Sequence, residues 1–203
     1  FCSAHGIVLI VDEIQSGFGR TGALWACDQL GLVPDVFTTA KCLGGGMPVS
    51  AVTGRAEIMD ATGVGGIGGT FGGNPLSCAA AIAVCDLFAK GEILVRARHL
   101  AARIQATLAE WANRHPAVGN VRGLGTMMGF ELVKDRATRE PWPEGAKQLT
   151  KFCYERGLII MTAGTYGNVV RLLMPLVITD EELAEGVAVL DRGLAELCSQ
   201  RRA

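Results

Sequence analysis

Two charged side chains follow two predicted strands in the first fifth of the chain. Asp12 comes directly after the apolar run at residues 7–11, and Lys41 directly follows residues 34–40. A short β-branched run without alternation is typical of a strand that is covered on both faces in a parallel sheet. Because ligands of open parallel sheets bind outside the carboxyl ends of the strands, we expect Asp12 and Lys41 to face one crevice.

A lysine and an aspartate in one crevice can serve an aldehyde cofactor. The amine of Lys41 can form a Schiff base with an aldehyde, and the glycines at residues 44–46 let a ligand approach. The carboxylate of Asp12 can pair with a protonated ring nitrogen, so the two residues meet the requirements of pyridoxal 5'-phosphate (PLP). Each is weak evidence alone, because a strand-end aspartate usually caps a turn and a single lysine is usually a solvated charge.

Four sequence segments resemble the motifs of the class III (ω-) aminotransferases, which belong to PLP fold type I. They are residues 12–22 (DEIQSGFGRTG), 34–35 (PD), 40–48 (AKCLGGGMP) and 69–75 (GTFGGNP). The resemblance runs in order through nearly the whole chain. Residues 53–60 and 164–171 are most similar to the members of the family that act on 4-aminobutyrate (GABA).

The resemblance implies a role for five residues. Lys41 is expected to hold the cofactor as a Schiff base and to shuttle a proton, and Asp12 to pair with the pyridinium nitrogen. Gln15 is expected to donate a hydrogen bond to the phenolic oxygen of the cofactor. Thr70 matches a threonine that reaches a phosphate in the neighbouring subunit, so the resemblance also implies a homodimer or a higher homo-oligomer. Arg171 matches the arginine that binds a substrate carboxylate.

Two further charged residues of the first motif are expected to be structural. Glu13 is predicted to support the loop that follows the strand, and Arg20 to form an ion pair. Asp12, in contrast, is predicted to be buried by the apolar strand and paired with the cation of the cofactor ring, since an unpaired buried charge is costly.

Composition excludes several classes of function. The chain has 203 residues and a formal net charge of -1, without a basic cluster, which argues against binding to nucleic acid. Its apolar runs are far shorter than the roughly 20 residues that span a bilayer. The seven cysteines are scattered and show no metal-binding spacing, so we predict no metal site, thiols buried as small apolar groups, and a cytoplasmic protein.

The pattern of elements predicts an α/β fold in two parts. Residues 1–90 are expected to be the C-terminal part of a PLP-binding large domain with a mostly parallel sheet, residues 91–118 a linking helix, and residues 119–203 a small α+β C-terminal domain. The predicted strands are residues 7–11, 34–40, 49–53, 127–133 with a partner near 121, 158–161 and 169–173; the predicted helices are residues 24–30, 55–61, 74–89, 92–115, 145–156 and 180–200. Asn74 and Thr179 are expected to begin helices, the latter in a capping box with Glu182.

The predicted function is PLP-dependent transfer of a terminal amino group from an ω-amino acid such as 4-aminobutyrate to 2-oxoglutarate. Because the chain begins at Phe1, inside what reads as a helix, we expect it to be the C-terminal portion of a longer protein and to be inactive alone. The alternatives are another ω-aminotransferase, acting on 5-aminovalerate or β-alanine, and a non-catalytic small-domain or dimerisation fragment.

Overall fold

The computed structural model describes residues 1–201, and the chain divides into two compact units at residues 97 and 98. The first unit contains three strands, β1 (Ile10–Asp12), β2 (Val36–Thr39) and β3 (Ala51–Gly54), and three helices, α1 (Ala26–Leu30), α2 (Ala56–Met59) and α3 (Pro75–Ala89). Helix α4 (Glu92–Arg114) runs across the division. The second unit adds strands β4 (Val118–Leu124), β5 (Met127–Asp135), β6 (Glu140–Pro141), β7 (Met161–Ala163) and β8 (Val169–Leu172), and helices α5 (Pro143–Tyr154) and α6 (Asp180–Gln200). The predicted boundaries at residues 90 and 118 stay a prediction.

The first unit is built on a three-stranded mixed sheet in the order β1-β2-β3. Strands β1 and β2 are parallel, with Asp12 paired to Thr38, whereas β3 runs antiparallel to β2. A parallel return needs a crossover of a dozen or more residues, usually a helix. Only residues 40–50 join β2 to β3, and they contain a single 3-10 turn, so the chain reverses direction instead. The predicted α/β fold is confirmed, with one strand of this sheet antiparallel.

Strand β1 is more exposed than the sequence predicts. It begins at Ile10 rather than at Ile7, and the side chains of Ile7, Val8 and Ile10 are about half exposed or more. Asp12 is exposed as well. The prediction that the apolar strand buries Asp12 is therefore wrong within residues 1–201. The reason is that β1 is an edge strand here, with a partner on the β2 side alone among residues 1–201.

The second unit carries the larger hydrophobic core. Its antiparallel sheet has the order β4-β5-β8-β7, with β6 paired to β5. Trp111, Phe130 and Leu149 are almost completely buried in this core, which α4, α5 and α6 share with the sheet. Burial of apolar area on this scale is the main stabilising term of a domain.

The helix-start signals in the sequence are confirmed. The side chain of Asn74 accepts hydrogen bonds from the backbone N–H groups of Leu76 and Ser77, at 2.9 and 3.3 Å. Thr179 and Glu182 form the predicted capping box, and α6 has the predicted bounds. In residues 1–201, no helix is long and apolar enough to cross a membrane.

Other predicted elements differ in position or burial. Strand β7 begins where its prediction ended, because its ladder with β8 begins at the pair Met161 and Arg171.

Of the seven cysteines, only Cys27 and Cys153 are buried, so the prediction of buried thiols holds for these two. Burial raises the pKa of the Cys153 thiol to about 11.

The loop after β1 is held by a chain of aromatic rings. Phe18 packs edge-on against Trp25 and Phe88, with ring centroids 5.1 and 5.4 Å apart, and Trp25 packs in the same way against Phe37 of β2. Gly17 allows this approach, since a Cβ at that position would lie 2.7 Å from the Trp25 ring. The rings therefore fix the loop between the sheet and α3.

Glu13 anchors the start of the same loop from inside. Its carboxylate is almost fully buried, and it accepts hydrogen bonds from the Ser16 hydroxyl at 2.5 Å and from the backbone N–H of Cys27 at 2.8 Å. Burial by itself raises the pKa of Glu13, but these hydrogen bonds, together with that of the Ala26 N–H, outweigh burial and lower the pKa below its ordinary value of 4.5. Glu13 thus supports the loop, as the sequence indicates.

Replacement of Glu13 should destabilise the chain in a pH-dependent way. A group whose pKa is lowered by folding stabilises the fold above its unfolded pKa, and that contribution is lost as the pH falls through the lowered pKa. We therefore expect Glu13→Gln to reduce the free energy of unfolding by about 1–3 kcal/mol at pH 7. The difference from the wild type should shrink once the pH falls below 4.5.

Urea unfolding of the wild type and the variant across this pH range measures the effect. Glu185→Gln, at an exposed position on α6, is the matched control and should change little at any pH. Equal stability of Glu13→Gln and the wild type at pH 7 would show that the buried carboxylate does not hold the loop.

Candidate active site

The carboxyl ends of β1 and β2 bring two of the predicted residues to one edge of the sheet. Asp12 is the last residue of β1 and pairs with Thr38 on β2, and Lys41 lies three residues beyond Thr38. The backbone N–H of Glu13 also donates to the carbonyl of Thr38 at 2.9 Å, which holds the two strand ends together. Neighbouring strands lie about 4.8 Å apart. Asp12 and Lys41 therefore flank the same edge, as the order of the elements predicts.

The carboxylate of Asp12 is oriented by two donors on one of its oxygens. Oδ1 accepts from the backbone N–H of Ile14 at 2.9 Å and from the hydroxyl of Thr38 at 3.2 Å. Within residues 1–201, Oδ2 accepts no hydrogen bond, and the carboxylate forms no ion pair. One oxygen is fixed by the protein and the other is left to accept from a cation.

Lys41 has an unusual backbone conformation. Its φ angle is 48°, in the left-handed region, which costs a residue other than glycine on the order of 1–3 kcal/mol. It begins a 3-10 turn (Lys41–Gly44), and its side chain is exposed. In the described part of the chain its amine has no ion-pair or hydrogen-bond partner. Backbone strain of this kind is found more often at functional sites than elsewhere.

The glycines after Lys41 permit a tight turn against the helix that follows. Gly45 has a φ of 56°, and a Cβ there would lie 3.0 Å from the Val84 side chain of α3. At Gly44, a Cβ would lie 2.8 Å from Val49. A side chain at either position would crowd its neighbour, so glycine suits both positions of the turn that follows Lys41.

Gln15 and Thr70 are both exposed, and the structure does not bring Thr70 to the other predicted residues. Gln15 lies in the turn directly after β1, three residues from Asp12. Thr70 lies in residues 61–73, all of which are exposed. Among the described residues, no hydrogen bond joins Thr70 to Asp12, Gln15 or Lys41. The role of Thr70 toward a second subunit stays a prediction.

Arg171 belongs to the second unit, where it has a buried polar atom without a partner. It lies on β8 between Gly129 of β5 and Met161 of β7, and its side chain is half-buried. Its Nε is buried and has no hydrogen-bond acceptor in residues 1–201. Leaving a buried polar group unpaired costs about 1–3 kcal/mol. Arg171 therefore carries one unsatisfied donor, and its role in binding a carboxylate stays a prediction.

An apolar cavity of about 360 Å³ borders Arg171 within the second unit. Its wall includes the apolar side chains of Ile104, Trp111 and Leu172. Glu182 also lines the cavity, but its carboxylate already accepts a hydrogen bond from Thr179 in the capping box. A wall of this kind cannot satisfy a dicarboxylate by itself. In the described part of the chain, Arg171 is the cation that lines this cavity, and its binding of an anion stays a prediction.

Sequence reasoning missed two polar residues that organise the strand ends. Asp35 accepts from the backbone N–H of Leu9 at 2.8 Å and from Arg55 at 3.0 Å. It thereby links the residues that directly precede β1 and β2 and directly follow β3. The hydrogen bond from Leu9 is the main reason why the pKa of Asp35 lies below its ordinary value, and Arg55 adds to it. Thr38 is the other, and its contact with Asp12 depends on the pairing register, which the spacing of the motifs does not reveal.

Comparison with known proteins agrees with this geometry. Residues 1–194 match the family model described as aminotransferase class-III. The chain is 46% identical to a 5-aminovalerate aminotransferase of Pseudomonas aeruginosa, over 97% of this chain and 46% of that protein. It is 42% identical to a 4-aminobutyrate aminotransferase of Escherichia coli, over 94% and 45%. The chain thus spans about half the length of the relatives it matches.

Solved structures give the same result. An aminotransferase of Bacillus anthracis superposes with a TM-score of 0.88 at 33% identity, over 96% of this chain and 46% of that one. The taurine:2-oxoglutarate aminotransferase of Bifidobacterium kashiwanohense, solved with PLP and glutamate, gives 0.87 at 28% identity, over 98% and 46%. The chain therefore belongs to the class III aminotransferases, a family whose cofactor is pyridoxal 5'-phosphate.

Proposed function

We propose that this chain is part of an ω-aminotransferase that moves the terminal amino group of a four- or five-carbon ω-amino acid to 2-oxoglutarate. The observation that carries the proposal is the shared strand edge, with an unpaired lysine amine on one side and a carboxylate with one open oxygen on the other. The relatives' own substrates, 5-aminovalerate and 4-aminobutyrate, favour a donor of this length. Other short ω-amino acids such as β-alanine are the alternative donors.

The residues at this edge fit PLP. The cofactor supplies an aldehyde that reacts with amines and a protonated ring that withdraws electrons from the carbon next to nitrogen. Lys41 offers the amine that holds it and that moves a proton between substrate and cofactor carbons. Asp12 offers Oδ2 to the ring N–H, and Gln15 offers an amide to the ring oxygen. Pairing the Asp12 carboxylate with the ring cation would also compensate the desolvation of both charges.

Arg171 supports the choice of the acceptor. Its unpartnered Nε calls for an anion, and a planar carboxylate satisfies a guanidinium through two parallel hydrogen bonds. In 2-oxoglutarate one carboxylate is adjacent to the reacting carbon, whereas in an ω-amino acid the carboxylate lies at the far end. Arg171 is therefore proposed to bind the keto acid and glutamate more than the amino donor.

Replacement of Lys41 is the direct test of the function. In the whole protein that contains this chain, Lys41→Ala should remove the covalent link to PLP and lower turnover by 10³-fold or more, on the order of 4 kcal/mol in barrier. Borohydride reduction followed by peptide mass analysis should label Lys41 in the wild type and not in the variant. Lys90→Ala, at the exposed end of α3, is the control and should keep both the label and the activity.

Two outcomes would contradict the proposal. Substantial turnover by Lys41→Ala would exclude Lys41 as the reacting amine. A wild-type protein that stays colourless with added PLP would favour the alternative of a non-catalytic fragment.

Replacement of Arg171 tests the acceptor. Arg171→Lys keeps the charge but loses the planar fork, so the KM for 2-oxoglutarate should rise about 10- to 100-fold, matching 1.5–3 kcal/mol for a hydrogen bond to a charged group. The KM for the ω-amino acid should change much less. Arg122→Lys is the control, because Arg122 is exposed and already paired with Glu131 at 2.5 Å. Equal losses for both substrates, or loss of the fold, would assign Arg171 to structure.

The whole protein is also proposed to be a homodimer or a higher homo-oligomer with shared sites. Val64 and Phe71 are strongly exposed in the glycine-rich segment at residues 63–73, and Leu76 and Ile82 of α3 are more than half exposed. Exposed apolar side chains in such number usually mark a surface that another protein covers. Thr70 lies in the same glycine-rich segment, from which it is proposed to reach a second copy.

Sedimentation velocity of the whole protein tests this assembly. We expect a species of at least twice the monomer mass at micromolar concentration, and a loss of specific activity upon dilution below the dissociation constant. A monomer that keeps full specific activity at low concentration would contradict shared sites.

A further inference from the structure

The hydroxyl of Thr38 contacts the acid of the proposed site from the neighbouring strand. Thr38 and Asp12 are directly paired in the parallel register, so their side chains emerge on the same face of the sheet. The hydroxyl donates to Oδ1 of Asp12 at 3.2 Å, and the N–H of Ile14 donates to the same oxygen at 2.9 Å. Both donors come from groups whose positions the strand ends fix.

Two donors on one oxygen determine the direction of the other. A carboxylate held by a single donor can rotate about its Cβ–Cγ bond, whereas a second donor from another strand removes that freedom. Oδ2 of Asp12 is then presented in one direction, and it accepts no hydrogen bond from the residues that the structure describes. The backbone donor alone, from Ile14, is local to the turn and does not tie Asp12 to β2.

We propose that Thr38 is a positioning residue, whose hydroxyl aims Oδ2 of Asp12 at the ring nitrogen of the cofactor. This inference rests on the proposed function and adds a residue to it. Thr38 stands three residues before Lys41 on the same strand and turn, so the residue that aims the acid and the residue that offers the amine are joined by one short segment. The segment thereby sets the direction of Asp12 relative to Lys41.

The adjacent threonine provides a matched control. Thr39 is buried, and its hydroxyl has no hydrogen-bond partner in residues 1–201, whereas the hydroxyl of Thr38 is committed to Asp12. Thr38→Val and Thr39→Val each replace a hydroxyl by a methyl group of similar size on the same strand. A merely structural role for Thr38 predicts the same behaviour of both variants.

The experiment uses the whole protein loaded with PLP labelled with ¹⁵N in its ring. The ¹⁵N chemical shift reports whether the ring nitrogen is protonated, and it is read as a function of pH. In Thr38→Val, the pH at which the ring loses its proton should fall by about one unit, and kcat should fall about tenfold, the same 1.4 kcal/mol in both measurements. The KM values should change less than twofold. Asp12→Asn serves as the reference for complete loss of the interaction between the Asp12 carboxylate and the ring nitrogen.

Thr38→Ser keeps the hydroxyl donor, so its ¹⁵N titration should match that of the wild type. The ¹⁵N titration of Thr39→Val should also match that of the wild type. The inference is overturned if Thr38→Val and Thr39→Val titrate alike, or if a folded Thr38→Ser behaves like Asp12→Asn. Both results leave the proposed function intact when the wild type carries labelled PLP on Lys41. A wild type that takes up no PLP overturns the proposed function and this inference together.

Discussion

The hydrogen-bonded register between β1 and β2 is the constraint on which the proposed site depends. It pairs Asp12 with Thr38, and Thr38 lies three residues before Lys41 in the chain. Because side chains alternate between faces, a slip of one residue would turn Asp12 away from Thr38 and bury the wrong set of side chains. Asp35 secures the register at the opposite strand ends through Leu9 and Arg55, and the N–H of Glu13 secures it next to Asp12.

The structure supports this register with groups that do no chemistry. Glu13 uses its carboxylate to hold the loop that follows Asp12, although it stands beside the proposed reacting acid. Neighbouring acids thus have opposite environments, since Glu13 is buried and saturated with donors while Asp12 is exposed with one oxygen open. The difference in hydrogen bonding, rather than the residue type, distinguishes the supporting acid from the acid available to a ligand.

Much of the fold could be predicted from local signals. The bounds of α6 follow from its capping box, and the start of α3 follows from Asn74 and the proline after it. Asp12 and Lys41 could be placed at one edge because the carboxyl ends of parallel strands share an edge. The contact of Thr38 with Asp12 could not be predicted from the sequence. It depends on the residue-by-residue pairing of two segments that are separated by more than twenty positions. The exposure of β1 was also unpredictable, because burial depends on what packs against a strand and not on its own residues.

The two units differ in how far their own residues complete them. The second unit buries a continuous core around Trp111 and Phe130. The first unit leaves β1 and α3 largely exposed and holds Lys41 in a strained conformation with its amine unpaired. Strain and unpaired polar groups persist where the surroundings or a ligand compensate them. Binding of the proposed cofactor would pair the amine of Lys41 and Oδ2 of Asp12 at one step, and a ligand that binds the folded state alone stabilises that state.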